Sequence, residues 1–204
     1  MAAVDFWYEF ASTYSYPAAM RIEALAISRG VEVNWRPFLL GPIFAAQGHA
    51  DSPFNLNLAK GRYMWSDLQR ICGALGLPLR RPDPFPQNSL LAARVALAVD
   101  ADRRPEFSRA VYAQEFGGGP SIAERATIAA ILDSMGLNAG EIFERAASAP
   151  LKDILRGETG LAERLGIFGA PNLVTADGAL FWGNDRLEEG LDWALGLERQ
   201  RPTL

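Results

Sequence analysis

The chain has 204 residues, 49% of them hydrophobic, and a formal net charge of −4. That composition belongs to an ordinary soluble globular protein with one sizeable core, and it excludes a fibre or a disordered chain. Acidic and basic residues are interspersed without like-charge runs, so no nucleic-acid footprint or polybasic membrane patch is visible; the expected partner is a small molecule, with no nucleic acid and no membrane. A single cysteine, Cys72, and a single histidine, His49, exclude an internal disulfide, a Cys-x-x-Cys dithiol and a His-rich metal site. The opening MAAVDFWYEF has no basic n-region and no apolar stretch approaches the ~20 residues that span a bilayer, so the expected location is cytoplasmic. The length allows one large domain or a small one carrying an insertion, and the insertion is the working expectation.

Residues 4–10 alternate, with Val4, Phe6, Tyr8 and Phe10 on one face and Asp5, Trp7 and Glu9 on the other, the period-2 pattern of a strand. Hydroxyls at 12, 13 and 15 and the proline at 17 supply capping groups and a first-turn proline, predicting a helix over 18–28 that Gly30 closes. A second strand over 31–39 completes a βαβ unit with parallel strands. From Gly41 to about Gly166 the strand signals vanish, and Gly and Pro punctuate helical stretches at 58–75, 89–101, 106–116, 122–135, 139–147 and 151–165. Ser121-Ile122-Ala123-Glu124 reads as a capping box opening the helix at 122–135, with Gly136 closing it. Gly117-Gly118-Gly119 follows no strand and lacks phosphate-loop spacing, so it reads as a turn.

After Gly166 the strands return. Residues 171–175 and 179–182 flank Ala176-Asp177-Gly178, a hairpin signal. Asp185-Arg186-Leu187-Glu188 reads as an Asp-led capping box for a last helix over about 186–198, with Leu187, Leu191, Ala194 and Leu195 on its buried stripe. The order β-α-β, helical block, α-β-β-α is that of an α/β, thioredoxin-like fold with an all-helical domain inserted in its middle. Residues 1–41 and 166–204 are assigned to the thioredoxin-like domain and 42–165 to the insertion; the helix at 151–165 is assignable to either.

In such a fold a reactive dithiol sits in the turn after the first strand, where a helix N-terminus lowers a thiol pKa. Here that turn reads Ser12-Thr13-Tyr14-Ser15. Ser-x-x-Ser in the slot of Cys-x-x-Cys keeps hydroxyl donors and lacks sulfur, an arrangement suited to a visiting thiol; capping is the other use of the same hydroxyls. Pro171, in Gly169-Ala170-Pro171, stands where the fold usually places a cis proline beside its site, although a strand-initial trans proline reads the same in sequence. Cys72, inside the helix at 58–75, reads as a small buried apolar residue.

The segments DFWYEFASTYSY, WRPFLLGPIF, KGRYMWSDLQR, FPQNSLLAAR, GIFGAPNLV and FWGNDRLEE follow one another along nearly the whole chain. Together they resemble the 2-hydroxychromene-2-carboxylate isomerase family, which is similar to kappa-class glutathione transferases and, more remotely, to DsbA-like thiol oxidoreductases. The resemblance implies a glutathione-dependent isomerase of aromatic-compound degradation, as in naphthalene catabolism. It would interconvert 2-hydroxychromene-2-carboxylate and trans-o-hydroxybenzylidenepyruvate, or a related aromatic catabolite, by reversible thiolate addition, and work as a homodimer.

By the same resemblance Ser12 is the catalytic residue and hydrogen-bonds the glutathione sulfur, while the backbone of Ala170 pairs with the cysteinyl part. Asn184 and Asp185 receive the γ-glutamyl end, and Lys60 sits near a carboxylate of glutathione or substrate. Asp185 also reads as a helix cap and Lys60 as a solvated lysine. His49 stands where relatives usually have Asn near the tripeptide, and it is retained as a candidate glutathione contact. Thr13 and Asn172 depart from the residues of many relatives and are expected to line the site. Aromatic residues such as Phe44, Phe85 and Trp182 read as core, with some available to line a pocket between the two domains. Two alternatives stand beside this reading: a kappa-like transferase that conjugates glutathione to an electrophile and consumes it, and a non-catalytic thioredoxin-like binding protein.

Overall fold

The computed structural model describes residues 1–48 and 52–197. Four strands, β1 (Ala2–Tyr8), β2 (Val31–Pro37), β3 (Asn172–Thr175) and β4 (Leu180–Trp182), form one sheet in the order β2-β1-β3-β4. β1 and β2 are parallel with Phe6 opposite Trp35, and α1 (Ser15–Ile27) makes the crossover between them. β3 runs antiparallel to β1 with Trp7 opposite Asn172, and β4 runs antiparallel to β3 with Asn172 opposite Trp182. The expected hairpin is present: Gly178 adopts φ 82 and its N–H donates to the Thr175 carbonyl at 2.8 Å. This is the thioredoxin-like sheet that the element order predicts.

Because β1 is central, both of its faces are covered. Val4, Phe6, Tyr8 and Phe10 enter the main core, where Phe6 meets Trp35 edge-on at 5.0 Å and Phe10 meets Tyr112 at 5.2 Å. Full burial of each such ring contributes ~2–3 kcal/mol. On the other face Trp7 is fully buried in a smaller cluster with Phe38, Ile43, Ala162, Ile167 and Val174. The alternation of the strand is kept, and on its second face Asp5 stays partly exposed while Trp7, and Glu9 just past the strand's end, are buried.

Between β2 and β3 the chain is helical: α2 (Leu40–Ala46), α3 (Pro53–Leu56), α4 (Leu58–Leu75), α5 (Leu90–Ala98), α6 (Arg104–Phe116), α7 (Arg125–Ser134), α8 (Ala139–Ala147) and α9 (Ala149–Arg164). After β4 a 3-10 turn (Asn184–Arg186) leads into α10 (Leu187–Ala194). α4 and α8 have the bounds expected from sequence. The Asn57 side chain caps α4 by accepting the N–H groups of Ala59 and Lys60, and Gly76 ends the helix in the left-handed conformation. Met64, Leu68 and Cys72 form its buried stripe, so Cys72 is a core residue, and burial pushes its thiol pKa up. α9 packs on β2 and α5 and contributes Ala162 to the cluster around Trp7.

Several element ends differ from expectation, each for a local reason. α7 begins at Arg125 rather than 122, because Ser121 Oγ accepts the Ala123 N–H and the Ile122 N–H goes to the Gln87 side chain, so the capping box does not form. α1 begins at Ser15 with Tyr14 as its cap and no side-chain capping bond, since the Ser12 and Thr13 hydroxyls find partners elsewhere. Asp185 does not cap α10 either: it lies within the 3-10 turn, and Arg186 precedes the helix without a side-chain capping bond. α10 stops at Ala194, leaving Leu195 37% exposed. The short helices α2 and α3 have no counterpart in the sequence reading, because seven and four residues carry too little periodicity to register. Among the described residues no helix is long and apolar enough to cross a membrane.

Candidate functional site

β1 ends at Tyr8, and the chain turns before α1 begins at Ser15. The Ser12 N–H donates to the Glu9 carbonyl at 3.0 Å and the Ser15 N–H to the Ser12 carbonyl at 3.2 Å. These bonds bring Ser12 against the segment that precedes β3, where its hydroxyl donates to the Ala170 carbonyl at 3.1 Å. The Ala170–Pro171 peptide bond is cis. Ser12 and Ala170 lie together on the wall of a cavity of about 690 Å³, within the range of small-molecule sites.

The remaining walls come from elements distant in sequence. α2 supplies Leu40 and Phe44, α3 and α4 supply Phe54, Lys60 and Met64, and the segment before α5 supplies Phe85, Gln87 and Ser89. Phe168 and Trp182 complete the enclosure, their rings 4.8 Å apart. Thr13 lines the cavity as expected, its hydroxyl donating to Met64 Sδ at 3.1 Å, while the Tyr14 hydroxyl donates to Asp67 at 3.0 Å and fastens the turn to α4. The surface is largely aromatic and aliphatic, with a few polar groups on it.

Ser12, Lys60 and Ala170, three of the residues singled out from sequence, therefore share one cavity. Asn184 and Asp185 do not line it. Asn184 is buried and its side-chain oxygen accepts from Arg21 at 3.2 Å, whereas the Asp185 side chain is 82% exposed on the 3-10 turn. Gly183, at φ 119, turns the chain between these residues and Trp182, and its N–H donates to the Pro171 carbonyl at 3.0 Å. His49 lies outside the described residues. Asn172, expected on the site's wall, is not there: it is buried, and its amide donates back to the Gly169 carbonyl at 2.5 Å.

Two cavity residues escaped the sequence reading, Glu9 and Ser89. Glu9 is 5% exposed, and its carboxylate accepts the Ser89 hydroxyl and the Ala11 N–H. Burial pushes its carboxyl up to about 7, against those two hydrogen bonds, which favour the charged form. On α6 the carboxyl oxygens of Glu115 are buried without a partner, and burial together with the charge of Glu9 holds its pKa well above the usual carboxylate range. The available signal was an acidic residue three places before Ser12 at the end of an apolar strand; read by alternation alone, it belonged to a polar outer face.

The family model for the DSBA-like thioredoxin domain matches residues 3–192. The chain is similar to a 2-hydroxychromene-2-carboxylate isomerase of Sphingobium xenophagum, 28% identical over 185 residues that cover 91% of this chain and 94% of that protein. It is similar also to glutathione S-transferase kappa 1 of Homo sapiens, 28% identical over 200 residues covering 91% and 87%. Among solved structures, a 2-hydroxychromene-2-carboxylate isomerase superposes with a TM-score of 0.85 at 26% identity, covering 97% of both chains. The match runs through the sheet, the helical block and the turn bearing Ser12, and the chain belongs to the DSBA-like thioredoxin domain family.

Proposed function

We propose that the chain is an enzyme, a glutathione-dependent isomerase that interconverts 2-hydroxychromene-2-carboxylate and trans-o-hydroxybenzylidenepyruvate or a related aromatic catabolite. The observation that carries this reading is the Ser12 hydroxyl, held beside the Ala170 backbone on the wall of a largely apolar cavity. Relatives named as isomerases and as a glutathione transferase support it.

The residues present fit glutathione. The cavity has a hydroxyl where a sulfur would need a donor, and Cys72 is not on its wall. When bound, glutathione supplies a thiolate that adds reversibly to a conjugated double bond, which then rotates as a single bond. Ser12 turns its one hydroxyl proton from the Ala170 carbonyl to the sulfur, and the Ala170 backbone so released pairs with the cysteinyl part. Asn184 and Asp185, directly after Trp182, receive the γ-glutamyl end, with the exposed Asp185 carboxylate matched to its ammonium. Lys60, on the same cavity wall, attracts a carboxylate, and His49 completes the tripeptide contacts. The aromatic walls exclude water and hold the substrate ring. In the domain division 1–41 with 166–204 against 42–165, this cavity lies between the two parts. A cytoplasmic homodimer belongs to the same proposal.

The test is to follow chromene interconversion with and without glutathione while measuring the thiol. Conversion that requires glutathione and leaves its concentration unchanged supports the isomerase. Conversion that proceeds equally well after glutathione removal overturns it. Stoichiometric loss of glutathione onto an electrophile, without isomerisation, selects the transferase reading, which the kappa relative favours at the same 28% identity. No binding at millimolar glutathione selects the non-catalytic binding protein.

A further inference from the structure

Three ionisable side chains lie on the described cavity wall: Glu9, Tyr14 and Lys60. The Tyr14 hydroxyl is committed to Asp67, and Lys60 is solvent-exposed. Glu9 alone is buried and able to change charge near neutral pH. It is also held firmly. Its carboxylate accepts from Ser89 and from the Ala11 N–H, and its backbone carbonyl accepts from the Tyr112 hydroxyl at 2.9 Å and the Ser12 N–H at 3.0 Å.

α6 packs Tyr112 and Glu115 against Glu9, and the cavity wall that Glu9 shares also carries Lys60 and Tyr14. Among the described residues no cation is paired with Glu9, in contrast to the carboxylates Asp192 and Glu23, which hold Arg29 and Arg109. A buried carboxyl without a counter-ion costs stability, so its presence on the cavity wall calls for another role. Glu115 behind it is buried without a partner, and burial together with the charge of Glu9 pushes its own carboxyl well above the usual range. Burial thus keeps a proton on a residue of the cavity wall.

We infer that Glu9 is the proton-exchanging residue of this cavity, handing a proton to the ketone oxygen of the ring-opened substrate and taking it back. The role rests on the isomerase reading above. When a carbon–sulfur bond forms at the far carbon of the conjugated double bond, the carbon–carbon π pair moves next to the carbonyl carbon and the carbonyl π pair moves onto the ketone oxygen; when the carbon–sulfur bond breaks, the same pairs return. The Glu9 O–H bond breaks and an O–H bond forms at that oxygen, leaving Glu9 as the carboxylate that Ser89 and the Ala11 N–H stabilise. When the double bond re-forms, the same proton returns to Glu9. No proton or electron is gained or lost over the cycle, and no further reactant is needed.

Glu9→Gln tests this while keeping an acceptor for Ser89. Three measurements are made: infrared titration of the carboxyl band in the unliganded protein, glutathione binding by calorimetry, and the pH profile of isomerisation. The expected result is a neutral carboxyl titrating near pH 7 that is missing in Glu9→Gln, with glutathione affinity within about twofold. The variant's kcat falls by about 10²-fold or more, and the alkaline loss of rate near pH 7 disappears. Ser89→Ala is the second variant, and the Ser89 side chain makes no capping bond to α5, so the helix does not depend on it. Removing a bond that favours the carboxylate moves the alkaline limb to higher pH, an effect that a merely structural Ser89 would not produce.

Glu9→Gln with wild-type rate and an intact limb overturns the inference, as does a Glu9 already ionised at pH 6. If Glu9→Gln does not fold, an unshifted limb in Ser89→Ala overturns it. A wild-type protein that does not isomerise the substrate removes the functional reading and this role together, whereas an active wild type with an indifferent Glu9→Gln removes only the role of Glu9.

Discussion

The Ser12 hydroxyl donates to the carbonyl oxygen of Ala170 at 3.1 Å across 158 residues of sequence, tying the turn after β1 to the segment before β3. This contact defines where the cavity's hydroxyl points. A hydrogen bond to a charged acceptor is worth ~1.5–3 kcal/mol, so Ser12→Ala is expected to weaken glutathione binding by about 10- to 100-fold in calorimetry. Its effect on folding is small, about 1 kcal/mol or less in urea unfolding, because the bond is only partly buried. Unchanged glutathione affinity in this variant would remove Ser12 from the site.

Lys60 occupies the first turn of α4, exposed and on the cavity wall. An exposed ion pair contributes at most about 1 kcal/mol and is screened by salt. Lys60→Gln should therefore raise KM for a carboxylate substrate by roughly two- to fivefold at low ionic strength, with kcat little changed. Raising the salt concentration should shrink the difference. A collapse of kcat with KM preserved would assign Lys60 to the chemistry instead.

Gly169 approaches Trp182 so closely that a Cβ there would lie 2.7 Å from the indole Nε1. Gly169→Ala must displace the ring that packs at a tilt against Phe168 at the cavity wall. The expected loss is ~1–3 kcal/mol of stability, with weaker ligand binding. In a Trp182→Ala background the same substitution should cost little, and that coupling is measured by urea unfolding of the four proteins in the cycle. Equal costs in both backgrounds would contradict the contact.

Folding raises the pKa of both buried carboxyls. Each is therefore bound more tightly to its proton in the folded chain. Its contribution is complete below the ordinary value near 4.5 and is lost as pH climbs toward the folded value. For Glu9, rising to about 7, the loss amounts to roughly 3 kcal/mol across that window. Glu115→Gln removes the second contribution. Relative to wild type, this variant should gain stability progressively as pH rises from 5 to 8.5 in urea titrations. A gap that does not change with pH would show that Glu115 is ionised throughout.

Local patterns made much of the fold legible. The alternation of Val4, Phe6, Tyr8 and Phe10, the Asp177-Gly178 turn and the bounds of α4 follow from side-chain period and turn chemistry within a few residues. Capping was less legible, because a hydroxyl chooses among all acceptors and donors within reach. Ser121 met the Ala123 N–H, while Ser12 and Thr13 met Ala170 and Met64, partners that no local window contains. The side chain of Asn172 was misplaced for a different reason, since it takes a local partner and folds back on the Gly169 carbonyl.

By itself the sequence determined the composition of the turn, Ser12-Thr13-Tyr14-Ser15, in place of a dithiol, and the order of elements that delivers it to the end of a central strand. It also determined that the chain's only thiol, Cys72, lies on the inner stripe of a helix. Only the tertiary structure decided that Ser12, Ala170 and Lys60 share one cavity, and that Glu9 lies with them under cover. Period-2 alternation tells which side chains share a face, not whether a neighbouring element covers that face. Here the helical block and residues 168–170 close over the end of β1, and that closure removes water from a carboxyl which alternation alone assigned to a polar face.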